Sequence, residues 1–173
     1  MAGRKTSSAQ TGCAPNPAPT GAYPNAGRCN GTALRKATRR VSQLYDSVLA
    51  PCGLKGTQRS VLIHVARAGT PTMGELSAAL VLDRSALGHN LKPLERDGLI
   101  ALVPDEQDKR SRRVALTPLG KAKLDASMAL WAQAQARFEA VFGAAEAAAL
   151  RASLERIASP EFAAAFAGRE PRE

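Results

Sequence analysis

The segment LDRSALGHNLKPLERDGLI (residues 82–100) decides the fold of this chain. Asp83 is a residue type that caps helices, because its carboxylate accepts backbone N–H groups that lack a partner in the first turn. Behind it Leu87, Leu91 and Leu94 recur at spacings of three and four residues, which places them on one face of a helix. The segment therefore predicts a helix with one buried stripe and an opposite face that is polar.

A β-hairpin is predicted directly after this helix. Gly98 is typical of the left-handed residue that follows a helix C-terminus, and the apolar run LIALV (residues 99–103) then predicts a strand. The stretch PDEQDKRSR (residues 104–112) predicts a long charged turn, and RVALT (residues 113–117) predicts the returning strand. A hairpin that follows a helix at once is the arrangement found in a winged helix-turn-helix.

Three further helices are predicted before this segment. Apolar residues at helical spacing predict the first helix over residues 33–50, and Pro51 ends it. Thr57 is the predicted cap of the second helix, and Thr72 with Glu75 three residues later predicts the capping box of a short third helix. The order helix, helix, turn, helix and hairpin favours a winged helix.

A long helix is predicted after the hairpin. Thr117 followed by Pro118 is a strong helix start, and the pattern then continues to Phe142, which gives a length of about 37 Å at about 1.5 Å per residue. Such a helix is longer than the small head, so part of it must pack against a surface outside the head. Gly143 breaks it, and a last helix follows. The apolar residues that these outer helices should bury against a second copy of the chain are Leu34, Val41, Trp131, Phe138 and Leu154.

The predicted fold class is mostly α with a small β-hairpin, a winged helix-turn-helix head with N- and C-terminal dimerisation helices. Residues 1–31 are rich in Pro, Gly, Ser, Thr and Asn, which predicts a flexible basic arm because little apolar surface can be buried. The expected division is one domain over residues 32–160 and a polar tail over residues 161–173. Within the domain, the head covers about 54–117 and the dimerisation helices about 33–50 and 118–158.

Composition narrows the class of protein. The formal net charge is +9 over 173 residues, but residues 1–40 hold seven basic and no acidic residues, so bulk charge says little about where DNA would bind. Cys13, Cys29 and Cys52 lack the spacing of a disulfide framework or a zinc site. No signal peptide, membrane span, nucleophile motif or phosphate loop is apparent, so we expect a cytoplasmic protein that is not an enzyme and needs no metal or cofactor.

The polar face of the helix over residues 82–100 is predicted to enter the DNA major groove, since it combines small residues with hydrogen-bond donors. A merely solvated face is the alternative, which the adjacent hairpin makes less favoured. In the turn, Asp108 precedes Arg110 by two residues and would hold its guanidinium ready for a narrow minor groove, although a mixed charge run is often only solvated. The predicted DNA contacts are Arg84, Ser85, Gly88, His89, Asn90 and Lys92 on the helix and Asp108, Lys109, Arg110 and Arg112 in the turn.

The segment over residues 82–100 followed by DEQDKRSRRVALTPLG (residues 105–120) resembles the MarR (multiple antibiotic resistance regulator) transcription factors, and the resemblance runs from about Leu34 to Ile157. It implies a homodimer that binds a pseudo-palindromic operator in double-stranded DNA, with the segment Asp83 to Glu95 as recognition helix, and that acts as a repressor. The chain departs from the family in two places, where some phosphate contacts of the family would be lost. The family often has Arg where Gln107 stands, and it has a basic residue soon after the Leu-Ile pair, where Ala101 and Leu102 stand.

The resemblance also implies a regulatory input. Many members bind a small, often aromatic or phenolic, effector in a cleft between the head and the dimerisation helices, and some sense oxidants through a cysteine near the first helix. Cys29, next to Arg28, is the redox candidate, with an inert thiol as the alternative. A redox switch on the same fold and a winged-helix module for protein assembly are the rival functions. The candidate effector contacts, each of which could instead serve packing, are Arg40, Tyr45, His64 and Trp131.

Overall fold

The computed structural model describes residues 28–106, residue 108 and residues 111–168. The described residues fall into two units, and the boundary between them, after Ala37, falls inside the first helix. The predicted class is confirmed, since the described residues are mainly helical with one β-hairpin. The elements are α1 (Asn30–Leu49), a 3₁₀ turn (Ala50–Cys52), α2 (Gly56–Ala68), α3 (Met73–Ala79), α4 (Arg84–Arg96), β1 (Ile100–Pro104), β2 (Arg112–Leu116), α5 (Pro118–Phe142), α6 (Ala144–Ala158) and α7 (Pro160–Phe166).

Three predicted helix caps are confirmed. The Asp83 carboxylate accepts the N–H of Ala86 at 2.7 Å and begins α4. Thr72 caps α3, and Glu75 returns the bond by accepting the Thr72 N–H at 2.7 Å. The Thr117 hydroxyl accepts a backbone N–H in the first turn of α5. These side chains satisfy donors that have no partner inside their helices.

The predicted cap of α2 was wrong. The helix begins at Gly56 with Lys55 as its N-cap, so Thr57 lies inside the first turn. The Lys55 N–H donates to the Gln58 side chain at 2.9 Å, and the Gly56 N–H donates to the Asp46 carboxylate at 2.6 Å. Because a residue of α1 satisfies this donor, no threonine is needed at the cap position.

The core of the head lies between α2, α3, α4 and the hairpin. The stripe predicted on α4 is confirmed, since all three of its leucines are buried. Leu49 at the end of α1 and Val114 in β2 are also fully buried. The side chains that are buried most completely are Leu49, Leu62, Val65, Leu76, Leu87, Leu94 and Val114.

The hairpin is antiparallel and each strand is shifted by one residue from the predicted bounds. Ile100 pairs with Leu116 and Pro104 with Arg112. A short third segment continues the sheet, because the Val114 N–H donates to the Pro71 carbonyl at 2.8 Å. The wing is therefore attached to the loop before α3 and not only to the helix before it.

The expected polar tail contains a helix. Pro160–Phe166 forms α7, which starts where the Ser159 hydroxyl accepts the Phe162 N–H at 3.2 Å and where proline suits the first helical position. The two long C-terminal helices have the predicted extents, with α5 ending at Phe142, directly before Gly143. None of the described helices is long and apolar enough to cross a membrane.

Val81 lies between α3 and α4 in a strained conformation. It is the only non-glycine residue with positive φ (52°) in the described part of the chain, and 67% of it is exposed. Its N–H donates to Ala78 O, and the N–H of Leu82 donates to Ser77 O, a pattern that ends a helix with a left-handed residue. Glycine is usual there, because a β-branched side chain crowds the backbone.

We expect Val81→Gly to raise the free energy of unfolding by up to about 1 kcal/mol, because it removes the left-handed strain. Urea unfolding followed by circular dichroism measures the change. Ala79→Gly, two residues earlier in α3, is the matched control and should lower the free energy of unfolding by about 1 kcal/mol. If Val81→Gly is destabilising to the same extent, the valine is not strained.

Candidate nucleic-acid interface

The polar side of α4 is open to solvent as predicted. The capped N-terminus and the buried leucines orient the helix so that this side faces away from the core. Five side chains with hydrogen-bond donors or acceptors and one glycine therefore lie on this face. The exposed residues are Arg84, Ser85, His89, Asn90 and Lys92, and Gly88 is half-buried among them.

Gly88 has no packing role in the fold. A Cβ built at this position meets no heavy atom within 4 Å. Glycine inside a helix costs roughly 0.5–1 kcal/mol relative to alanine, because the unfolded chain is more flexible. The fold alone thus favours a larger residue here, and an external surface that approaches the helix closely would explain the glycine.

A cleft of about 360 Å³ separates the start of α4 from the base of the wing. Arg84 and Arg112 both line this cleft, and no acidic residue is among its lining residues. Two arginines that line an open cleft suit a phosphate group. The full lining is Thr72, Met73, Gly74, Arg84, Ser111 and Arg112.

An ion pair that the sequence reasoning missed holds the base of the wing. Asp105 is 5% exposed, and its carboxylate lies 3.0 Å from the Arg113 guanidinium. Arg113 also donates to the Thr70 carbonyl at 3.0 Å. The two residues lie near each other because β1 and β2 pair, so the hairpin register was the signal that could have found them. The pair orients the wing against the loop before α3.

The tip of the wing is described only in part. Asp108 is exposed, and its carbonyl accepts the Ser111 N–H at 2.8 Å, which closes the turn. The predicted contacts Lys109 and Arg110, and Gln107 beside them, lie outside the described residues. The expected hold of Asp108 on Arg110 therefore stays a prediction.

A second cleft, also of about 360 Å³, lies on the other side of α4. Residues from the start of α2 face His89 and Asn90 across it, over a floor that includes Val61. The exposed polar face of α4 therefore borders a cleft on each side. The lining is Lys55, Thr57, Gln58, Val61, His89, Asn90, Pro93 and Arg96.

The four candidate effector residues do not line either cleft. The Tyr45 hydroxyl donates to the Gln135 side chain, and burial raises the pKa of Tyr45. Trp131 lies one turn before Gln135 on α5, so these two candidates reach the same stretch of that helix. His64 instead contacts the Ser60 carbonyl of its own helix at 2.7 Å, and Arg40 is exposed on α1.

Arg59 is the residue that the structure adds beside Trp131. It is 7% exposed, and its guanidinium lies 4.7 Å from the centre of the Trp131 ring. Its Nε donates to the Ser127 hydroxyl at 3.1 Å, and burial lowers its pKa. An arginine in α2 gives no sequence signal of burial, since most arginines are exposed. Arg59 joins the head to α5 through neutral partners.

The two described thiols differ in accessibility. Cys29 is fully exposed, and hydrogen bonding with Thr32 lowers the pKa of its thiol. Cys52 is buried, and its S–H donates to the Leu49 carbonyl at 3.0 Å. Cys13 lies outside the described residues. Cys29 is therefore the accessible thiol in the described part, and hydrogen bonds with Thr32, not the expected charge of Arg28, lower its pKa.

Comparison with known proteins gives consistent results. A family model described as "MarR family" matches residues 53–111, the head up to the wing. The chain is 39% identical over 72 residues to the transcriptional activatory protein BadR of Rhodopseudomonas palustris, a match that covers 40% of this chain and 41% of BadR. It is 34% identical over 92 residues to the multiple antibiotic resistance protein MarR of Salmonella typhimurium, covering 53% and 64%. These matches span less than two thirds of either relative.

The similarity to a solved structure extends further along the chain. The M. tuberculosis transcriptional regulator MosR, crystallised in complex with DNA, superposes with a TM-score of 0.71 and 33% sequence identity. The match covers 82% of this chain and 99% of the MosR chain. It therefore includes the outer helices as well as the head, and the relative that it matches binds DNA.

Proposed function

This chain belongs to the MarR family of DNA-binding transcriptional regulators, and from that premise we propose that it is a homodimeric repressor that binds a pseudo-palindromic operator and leaves it when a small effector binds. The observation that carries the proposal is the exposed polar face of α4 beside a cleft that two arginines line. The helix enters the major groove, and the wing lies over the adjacent minor groove. BadR is named an activatory protein, so the sign of regulation needs a test. A reporter gene placed behind the operator should be silenced by this chain.

The position of each side chain determines whether we assign it to base contacts or to phosphate contacts. Ser85, His89 and Lys92 lie where base edges would be read. Arg84 and Arg112 border the cleft between helix and wing, where the sugar-phosphate strand between the two grooves would pass. Contacts to phosphates position a protein on DNA without reading the DNA sequence. We also propose that Arg110, oriented by Asp108, adds a contact that depends on minor-groove width.

Two chains are needed because a pseudo-palindrome has two half-sites. The heads of a two-fold dimer would take half-sites about one helical turn, roughly 10 base pairs, apart. Support comes from apolar side chains outside the head that their own chain leaves accessible, such as Leu34 at 37% and Leu154 at 40% exposure. Sedimentation of the chain at micromolar concentration should give about twice the chain mass, and a monomer would contradict the proposal.

We expect Arg84→Ala and Arg112→Ala each to weaken binding to operator and to scrambled DNA by similar factors. The reason is that each removes a phosphate contact, so the slope of log affinity against log salt should fall by about one unit. Fluorescence anisotropy titrations at several salt concentrations measure this. Arg110→Ala, in the same titration, tests whether the wing tip contacts DNA.

Lys121→Ala is the matched control, since it also removes one positive charge. Lys121 lies on α5 and pairs with Asp125 at 2.7 Å. It should bind both DNAs like the parent chain. If the arginine variants behave like Lys121→Ala, the cleft does not hold a phosphate.

The effector would act where α2 packs against α5, a contact that is called the α2–α5 joint below. Tyr45 and Trp131 reach this joint, and Arg59 lies in it. A small molecule that separates α2 from α5 would turn the head away from its half-site. Oxidation of Cys29 is the alternative input, because an exposed thiol with a lowered pKa is the kind that oxidants attack. Loss of DNA binding in peroxide that a reductant reverses, and that Cys29→Ser abolishes, would favour this alternative.

A further inference from the structure

Met128 in α5 is an accessible thioether that contacts a buried cation. Met128 is 43% exposed, and its Sδ accepts a hydrogen bond from Nη2 of Arg59 at 3.4 Å. Arg59 itself is only 7% exposed. The sulfur atom therefore lies between solvent, which can bring a reactive molecule to it, and a guanidinium group that solvent scarcely reaches.

The guanidinium of Arg59 has more donors than good acceptors. In the described part of the chain it donates to the Ser127 hydroxyl at 3.1 Å and to the Met128 sulfur, and it lies over the Trp131 ring. No carboxylate among the described residues forms an ion pair with it. A buried cation is costly unless good acceptors surround it, and a thioether is a weak acceptor. An oxygen atom on residue 128 would therefore be bound more tightly than the sulfur is.

Oxidation by a peroxide places such an oxygen atom on Met128. A lone pair of the sulfur attacks one oxygen of hydrogen peroxide, the O–O bond breaks, and the second oxygen leaves as water after proton transfer. The sulfur loses two electrons, the peroxide gains them, and the thioether becomes a sulfoxide, which is polar where the parent side chain is apolar. The step requires that peroxide reaches the sulfur, which the exposure of Met128 allows.

A sulfoxide at residue 128 would rearrange the contacts that join α2 to α5. A hydrogen bond from a guanidinium to a polar oxygen is charge-assisted and strong, so the Arg59 side chain would follow the new oxygen away from the Trp131 ring. Ser127 is fully buried and donates to the Leu124 carbonyl at 2.6 Å, so it is held in place and does not follow. Arg59 contacts one turn of α5 through these residues, and its movement therefore alters the α2–α5 joint.

From these observations we propose that Met128 is an oxidation site, that Arg59 binds its sulfoxide, and that the change at the α2–α5 joint weakens binding to the operator. The inference rests on the proposed function, which places regulation at this joint. It adds an input that involves neither a bound effector nor a thiol. Methionine sulfoxide reductases reverse this modification, so the input is reversible.

Treatment of the full chain with hydrogen peroxide, followed by peptide mass spectrometry and operator titration, tests the inference. Dithiothreitol added after the peroxide reduces sulfenic acids and disulfides but leaves the sulfoxide. We expect Met128 to gain one oxygen and the fluorescence of Trp131, the single tryptophan of the chain, to change. The dissociation constant for the operator should rise about fivefold or more, the lower end of allosteric coupling. Methionine sulfoxide reductase should restore the fluorescence and the affinity.

Two leucine variants show which sulfur is responsible. Met128→Leu nearly keeps the volume of the side chain and removes the sulfur, so its fluorescence and affinity should not respond to peroxide. Met73→Leu makes the same change in α3, at the other methionine of the described part, and should respond like the parent. Met128→Gln carries an amide oxygen near the position of the sulfoxide oxygen, so it should weaken operator binding without peroxide and covers a Met128→Leu chain that does not fold.

The outcomes separate this inference from the proposed function. An oxidised Met128 with unchanged operator affinity overturns the inference, and so does a loss of affinity that persists in Met128→Leu. Oxidation of Met73 that leaves Met128 unmodified overturns it as well. A parent chain that binds no operator overturns the proposed function and the effect on affinity, while an unchanged Trp131 fluorescence on oxidation overturns the binding of the sulfoxide by Arg59.

Discussion

Gly120→Ala should destabilise the protein by about 3 kcal/mol or more, the upper part of the range for overpacking a tight contact. A Cβ built at Gly120 lies 1.9 Å from the Leu99 carbonyl oxygen and 2.8 Å from its carbon. These are backbone atoms in the link between α4 and β1, so no flexible side chain can move aside. The same carbonyl accepts the Thr117 N–H at 3.2 Å, and a shift of α5 would break this bond.

Urea unfolding of the variant and the parent chain measures the loss. The matched control is Gly88→Ala, which makes the same change inside another helix where a Cβ meets no heavy atom within 4 Å. The control should gain roughly 0.5–1 kcal/mol, because alanine restricts the unfolded chain. If both variants shift stability in the same direction, the close approach of α5 to Leu99 does not determine the fold of the head.

Gly88→Ala should also lower affinity for the operator by tenfold or more, although it stabilises the fold. In the proposed complex the exposed face of α4 approaches the floor of the major groove, and an added methyl group in a tight interface costs about 1–3 kcal/mol. Stability and binding thus change in opposite directions in one variant. A loss of binding through misfolding would instead lower both.

Anisotropy titration against operator and scrambled DNA measures the second effect. Ala79→Gly, on the exposed surface of α3, is a control that lowers stability without touching α4. It should bind operator like the parent at temperatures where it is folded. An unchanged operator affinity for Gly88→Ala would mean that this face of α4 does not lie against DNA.

The candidate DNA-binding face could be predicted in large part because its signals are local. Asp83 and the leucines of α4 lie within thirteen residues and define which side of the helix is buried. The remaining side is then exposed by exclusion, and its residue types are visible in the sequence. The effector candidates were a weaker prediction, because His64 bonds within its own helix while Arg59, which was not predicted, contacts Trp131.

At the C-terminus, composition predicts a polar tail where the structure has the helix α7. Residues 161–173 are largely polar or small, and this predicted a tail. The local signal of Ser159 followed by Pro160 was present, and it begins α7. This signal alone does not predict a helix, because a short helix is stable only with a packing partner and one sequence does not show that partner.

The sequence by itself determined the order of the helices, the hairpin, the caps at Asp83, Thr72 and Thr117 and the buried stripe of α4. The caps and the stripe depend on residues within four positions of one another, and the hairpin on two apolar runs that flank a polar turn, so spacing and side-chain type are sufficient. The tertiary structure alone decided that Asp46 holds the start of α2 and that Gly120 lies against Leu99. Those contacts join residues that are 10 and 21 positions apart. They arise only when packed elements leave a donor, a charge or a gap that one particular side chain satisfies.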